Sequence, residues 1–505
     1  MSRESFKTAL GHGFLSFGSV ALIGLVGSVV IARIYGVDVI GQYALTLAPV
    51  GVLTYLSTVQ EQAALIRALS VLQPRDPLVT GLTAAVFAFS VGLTLIIAAL
   101  VALGATMVMR GPIGEPDLVR PMAVQIVGYV IITNTCWNID SVLNAFRSGR
   151  QLFWVRLVQA LAFLALAVAL GLQWGTVWGL VWATIGSWAV SLGPRVSALR
   201  RVMRFRVPRE AFVEGVRALP PMVKFGAKAA PGGIVIGVNA EAGTWILGVT
   251  SSVAQVGAWN RARQLGDRIK EGTIRVNEVL LPTLVERREQ GDHHGYDRAW
   301  ADSVRYVLVA MLLVAAVGGG AAEGIMNVFG PGFAKGATAL TLILLYQALQ
   351  AVDSIHVTAL YAVDRPGLTT VAATVGPIVG VGVAIPAAMR WGATGPALGL
   401  VLGIFSSTVV MHPTVRGLLS EPLSDLWGVR EMLAIGAAYA WGLAGARVTD
   451  LALPGHFGTL AALAAGTVAY VGVFVLAGGI GPRDRERLSM VRARLQRRDT
   501  SLRSV

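Results

Sequence analysis

Residues 257–285 (GAWNRARQLGDRIKEGTIRVNEVLLPTLV) carry five cations, Arg261, Arg263, Arg268, Lys270 and Arg275, and three anions, Asp267, Glu271 and Glu278. At helical spacing, Arg261, Gln264, Arg268, Glu271, Arg275 and Glu278 form one polar stripe. Arg263, Asp267 and Lys270 form a second, about 100° further round the helix. Ala258, Ala262, Leu265, Ile269, Gly272, Val276 and Val279 form an apolar stripe, so the pattern predicts a helix packed on one face and wet on the rest. A guanidinium donates two parallel hydrogen bonds in a planar fork, which suits phosphate. Three anions neutralise at most three of the five cations, and the surplus predicts contact with an anionic ligand. The competing arrangement is mutual salt bridging, Asp267 with Arg263 and Glu271 with Arg268 or Arg275.

Other groups could titrate. Glu241 lies in GVNAEAGTW with Asn239 two residues earlier. A carboxylate there is a candidate proton or sodium site, or else the partner of an arginine in 257–285. Asp140 (NTCWNIDSVLN) and Asp353 (YQALQAVDSIH) sit in polar stretches, either lining a cavity or capping helix ends. His356 follows Asp353 by three residues and shares its helical face, as a titratable partner or a satisfied structural histidine. The single cysteine, Cys136, excludes an intramolecular disulfide. His293 and His294 form an isolated pair, so no metal set is expected. No phosphate loop, nucleophile elbow or zinc-protease motif is present. Nothing in the chain reads as an enzyme.

The elements that must hold these groups are membrane spans. The chain is 54% hydrophobic and 14% charged. Apolar runs of about 20 residues or more fall near 14–34, 41–66, 79–109, 118–144, 153–171, 174–199, 222–250, 300–322, 336–362, 366–389, 393–415, 429–447 and 457–481. The first is long for a signal peptide and is not followed by a convincing cleavage site, so it reads as a retained helix. The charged stretch 257–285 makes a fourteenth crossing. With the N-terminus inside, thirty Lys and Arg then collect on one side and six on the other, as the positive-inside rule requires. Placed on the surface, 257–285 would invert every later loop. A charge at mid-membrane costs about 2.5–3.5 kcal/mol on the lenient scale, so these side chains must face protein or water rather than lipid. The net charge of +14 comes mostly from the inside loops and the tail 483–505, which fits an anionic leaflet rather than nucleic acid.

The two halves echo each other. VIGQYALTLA aligns with QVGAWNRARQ, placing Gly41 against Gly257 at an offset of 216. Asp140-Ser141 aligns with Asp353-Ser354 at 213, and Trp174-Gly175 with Trp391-Gly392 at 217. The expected organisation is a six-helix bundle over 1–200, a basic linker over 201–221, a second six-helix bundle over 222–417, two extra helices over 418–482 and a basic tail over 483–505.

Fourteen spans, a repeated six-helix unit, the G-x-[YW] turn entering the second and eighth spans and Leu281-Pro282 at the end of the eighth carry a resemblance. Over about residues 10–480 the chain resembles the multidrug/oligosaccharidyl-lipid/polysaccharide (MOP) exporter superfamily, nearest to Wzx-type polysaccharide flippases and the lipid II flippases. The resemblance implies an all-α polytopic protein of MATE/MOP-like fold in the bacterial inner membrane, with both termini cytoplasmic. It implies alternating-access export of a polyprenyl-pyrophosphate-linked oligosaccharide to the outer leaflet. The pyrophosphate would be held in a central cavity by Arg261, Arg263, Arg268, Lys270 and Arg275, and H+ or Na+ coupling would fall to Glu241, Asn239, Asp140 or Asp353. Partners would be the lipid-linked glycan, membrane lipids and a glycan polymerase or assembly protein. An ion-coupled multidrug antiporter of the same fold would want an acidic or aromatic pocket, against the basic surplus here. A membrane glycosyltransferase would need a catalytic carboxylate in a large outer loop, and the outside loops are short.

Overall fold

The computed structural model describes residues 6–56, 61–70, 72–146, 148–203, 205, 207–363, 367–481 and 484. It is all-helical, with no strand among the described residues. Nine of its described helical segments are long and apolar enough to cross a membrane, from Leu22–Leu56 to His456–Leu476. Their large apolar side chains stay outside: Ile96, Leu100 and Met107 on one helix and Phe457, Val468 and Leu476 on another are all more than half exposed. Such surfaces are stable only against lipid, so this is a multi-pass membrane protein.

The first part of the chain forms α1 (Phe6–Leu56), α2 (Glu61–Ser70), α3 (Pro77–Arg110), α4 (Val119–Gly128) and α5 (Asn134–Ala145). Then follow α6 (Gly149–Trp174), α7 (Val177–Val202), α8 (Arg209–Thr250) and α9 (Val253–Glu289). Next come α10 (His293–Gly320), α11 (Ala322–Val328), α12 (Ala337–Ala362) and α13 (Gly367–Trp391). The chain closes with α14 (Thr394–Arg416), α15 (Leu423–Leu426), α16 (Val429–Ala452) and α17 (His456–Leu476).

Local chemistry sets these boundaries. α1 is broken at Gly36, whose φ of 74° divides it where the expected first and second runs meet. Asp76 caps α3 by accepting from the Leu78 N–H at 2.8 Å, with Pro77 at the first helical position. Gly175 ends α6 at φ 59° and Gly392 follows α13 at φ 54°, a left-handed exit that glycine allows without strain. These two glycines are repeat partners. α8 begins at Arg209, so the second half of the basic stretch 201–221 is helical.

The chain divides into two compact units. One comprises Met1–Arg261, Asn327–Gly336 and Val381–Gly399. Its core gathers Leu65, Val79, Val86, Val142, Leu143 and Leu199 from four helices. The other comprises Ala262–Met326, Ala337–Gly380 and Leu400–Val505. Its core is built on Leu284, Trp300, Ile355, Leu360, Met411 and Val415. A satellite cluster joins α16 and α17 to α10 through Ala316, Ala438 and Tyr470, and the Tyr470 hydroxyl donates to the Val309 carbonyl at 2.8 Å.

Candidate functional site

α9 is an unbroken helix of 37 residues. At about 1.5 Å per residue it is roughly 55 Å long, well beyond the about 30 Å of a hydrocarbon core. It is not among the nine apolar segments, as its charge content dictates. Of its apolar stripe, Ala258 and Ala262 are buried and Leu265, Ile269 and Val276 half-buried, and Trp259 beside the stripe is buried too. A methyl at Gly266 would sit 2.3 Å from the Ile343 side chain of α12, so glycine lets these two helices close up.

The five cations fall into different environments. Arg261 is buried, within electrostatic reach of Tyr43, whose hydroxyl hydrogen-bonds Thr184 at 2.7 Å. Arg263 places Nε 3.5 Å from Asp267 Oδ2, and the Gln347 amide donates to Asp267 Oδ1 at 3.4 Å. The salt-bridging alternative is therefore realised for this pair. Arg268 and Lys270 are exposed, and neither is in an ion pair among the described residues. The side chain of Arg275 lies outside the described residues, as do those of Glu271 and Glu278.

The other candidates are placed separately. Glu241 of α8 occupies space that Gly51 of α1 leaves open, since a methyl at Gly51 would lie 2.9 Å from its carboxylate. Asn239 is half-buried on the same helix. Asp140 is engaged by Arg195 of α7, which donates from Nε to Oδ1 at 2.9 Å and from Nη2 to Oδ2 at 3.1 Å. Arg195 is 1% exposed, also donates to Gln159 Oε1 at 3.0 Å and to Ser191 Oγ, and lies 5.1 Å from the Trp188 ring. Asp353 instead accepts from the Ser407 hydroxyl at 3.0 Å and the Thr408 hydroxyl at 3.2 Å, both on α14. His356 is buried, its ring centroid 5.5 Å from Trp300 and 5.9 Å from His412. No group of His, Cys, Asp and Glu among the described residues could hold a metal ion.

Sequence reading did not single out Arg195, Ser407, Thr408 or His412. The repeat contained the signal. The 217 offset that joins Trp174 to Trp391 carries Ser191 onto Thr408 and Arg195 onto His412.

The family model described as polysaccharide biosynthesis protein matches residues 13–287, more than half of the chain. No curated protein sequence matches the chain. Among solved structures, the lipid II flippase MurJ in an inward closed conformation is similar at 14% identity and a TM-score of 0.66, over 93% of this chain and 98% of that one. An inward-facing multidrug resistance MATE family transporter of the MOP superfamily is similar at 12% identity and a TM-score of 0.55, over 77% of this chain and 95% of that one. A MOP superfamily transporter from Pyrococcus furiosus, whose reversed binding-pocket polarity suggests a different function for it, reaches a TM-score of 0.54 at 12% identity, over 82% of this chain and 97% of that one. At such identities the likeness is one of fold, and it is the MATE/MOP-like fold that the sequence led us to expect.

Proposed function

Because the chain belongs to the polysaccharide biosynthesis protein family, we propose that it is a flippase moving a polyprenyl-pyrophosphate-linked oligosaccharide from the inner to the outer leaflet of the bacterial inner membrane. The observation that carries this reading is the pair Arg268 and Lys270, exposed on α9 and outside any ion pair among the described residues. A charged side chain exposed on a membrane helix is stable only where water reaches it. Such a wet face with uncompensated positive charge attracts an anion. The guanidinium of Arg268 would grip pyrophosphate through paired hydrogen bonds and Lys270 would add a point charge. Arg263 is partly neutralised by Asp267 and would contribute less, and Arg275 completes the stripe in sequence.

Transport then follows by alternating access of two halves, residues 1–200 and 222–417, with 418–482 and the tail from 483 appended. The polyprenyl tail stays in lipid while the sugar crosses through water. Glycan polymerase or assembly proteins would take the product, and both termini would lie in the cytoplasm.

The test is transport by Arg268→Ala, Lys270→Ala and Arg275→Ala variants at matched membrane levels, read as lipid-linked oligosaccharide reaching the outer face. Losing a charge-assisted phosphate contact removes about 1.5–3 kcal/mol, a ten- to hundredfold fall in transport at limiting substrate. Normal transport by the combined Arg268→Ala/Lys270→Ala variant would remove α9 from the cargo path.

A further inference from the structure

The two halves of the repeat hold one carboxylate each at matching positions, and they treat it differently. In the first, Asp140 is clamped by Arg195 in an ion pair, Nε to Oδ1 at 2.9 Å. In the second, Asp353 meets only hydroxyls, and among the described residues no cation pairs with it. Repeat offsets place Thr408 where the first half has Ser191, and His412 where it has Arg195. Where the first half has a carboxylate paired with an arginine, the second has a carboxylate and an imidazole at the corresponding positions.

A second observation, independent of the repeat, points to the same place. His356, one turn beyond Asp353 on α12, is 3% exposed. Its Nδ1 lies 2.9 Å from the Val352 carbonyl oxygen, which can only accept, so Nδ1 carries the proton. Its Nε2 is then a lone-pair acceptor, and it has no hydrogen-bond partner among the described residues. A buried polar atom left unpaired is costly, and this lone pair is free to accept a proton. α12 thus presents Asp353 and His356 to Thr408 and His412 of α14, one turn apart on both helices.

We propose that Asp353, His356 and His412 form a proton-uptake site in the second half, through which transport is coupled to the proton gradient. This rests on the transport reading above. One proton enters from water and is shared between the Asp353 carboxylate and the two imidazoles, forming an O–H or N–H bond and adding one positive charge to the cluster. On α12, Tyr346 lies within electrostatic reach of Asp353, and also of Arg263 and Asp267 of α9. On α10, Asp297 is committed to the backbone N–H groups of Ser420 and Glu421 at 2.8 and 2.9 Å. On α14, Arg416 donates to the Leu419 carbonyl at 3.5 Å. Trp300 of α10 packs edge-on against His356 at 5.5 Å, with the Trp427 ring 5.2 Å beyond it.

Histidine-selective carbon-13 NMR of the full chain in lipid nanodiscs tests the site without any substrate. The His356 or His412 resonance is expected to titrate between pH 5 and 8, with a curve that moves in Asp353→Asn. Two histidines that hold one protonation state across that range would overturn the proposal. Transport is read separately in proteoliposomes, with a fluorescent undecaprenyl-pyrophosphate disaccharide as the probe. The ratio of flipping with an imposed pH gradient to flipping without one should exceed one in the wild type and fall to one in His412→Arg, with His412→Gln as the second variant. A ratio that stays high in both variants overturns the proton site. If the wild type does not flip the probe, the transport reading fails on that cargo and the titration alone decides the cluster.

Discussion

At the scale of single residues, the Asp140–Arg195 pair has consequences that can be measured. Removing two charges from water costs several kcal/mol each, and their contact recovers it only where geometry and extra hydrogen bonds are good. Here Arg195 meets Asp140 through two bonds and adds Gln159 and Ser191. Arg195→Met is therefore expected to destabilise the protein by about 3–5 kcal/mol, because it strands a carboxylate. The double variant with Asp140→Asn should recover most of that loss in a thermal-unfolding assay. A single variant that melts like the wild type would show that the pair contributes nothing. Asp140 was legible in the sequence as a polar residue in a polar stretch, but its partner 55 positions away was not.

At the scale of elements, the repeat is written into helix contacts. A methyl at Gly41 of α1 would meet the Val253 carbonyl oxygen at 2.0 Å, and one at Gly257 of α9 would meet the Val37 carbonyl oxygen at 2.0 Å. Val37 and Val253 share the 216 offset of the two glycines, so repeat partners pack on each other reciprocally. A crossing this close needs glycine on both sides, as small residues provide in membrane helices. Gly41→Ala and Gly257→Ala should each lower stability by about 1–3 kcal/mol through forced separation of the helices. The double variant should cost less than the sum, since one displacement relieves both clashes. Additive losses in melting temperature would show that the two positions do not share a crossing. Gly41 and Gly257, expected in turns, lie inside α1 and α9, because the chain breaks earlier, at Gly36 and at Ser251–Ser252; those breaks and the 42-residue length of α8 needed the tertiary structure.

At the scale of the whole molecule, the end of the described chain is tied down inside its own unit. Arg305 of α10, 7% exposed, donates from Nη2 to Asp484 Oδ2 at 2.5 Å and to the Gly479 carbonyl at 2.8 Å. The Tyr306 hydroxyl and the Gly481 N–H also donate to Asp484, at 2.7 and 3.0 Å. Burial pushes the Asp484 carboxyl up, but the hydrogen bonds from Tyr306, Arg305 and Gly481 outweigh it and hold the group below the ordinary carboxylate range. A depressed carboxylate stabilises the fold above its unfolded pKa of about 3.9 and loses that contribution as pH falls through its folded value. The clasp is thus complete at neutral pH and opens only in acid. Asp484→Asn should make the chain beyond residue 481 cleave faster in limited proteolysis at pH 7. Equal cleavage in the two proteins would dismiss the clasp.

The sequence by itself determined that this is a helical membrane protein, that its halves repeat, and that one helix is cationic. Those properties follow from lipid as a solvent and from helical periodicity, both of which act residue by residue along the chain. The tertiary structure alone decided which charges are spent: Arg263 on Asp267 while Arg268 stays unpaired among the described residues, and Asp140 on an arginine while Asp353 keeps only hydroxyls. Ion pairs and hydrogen bonds act within about 4 Å, and helices distant in sequence come that close only once the fold has packed them.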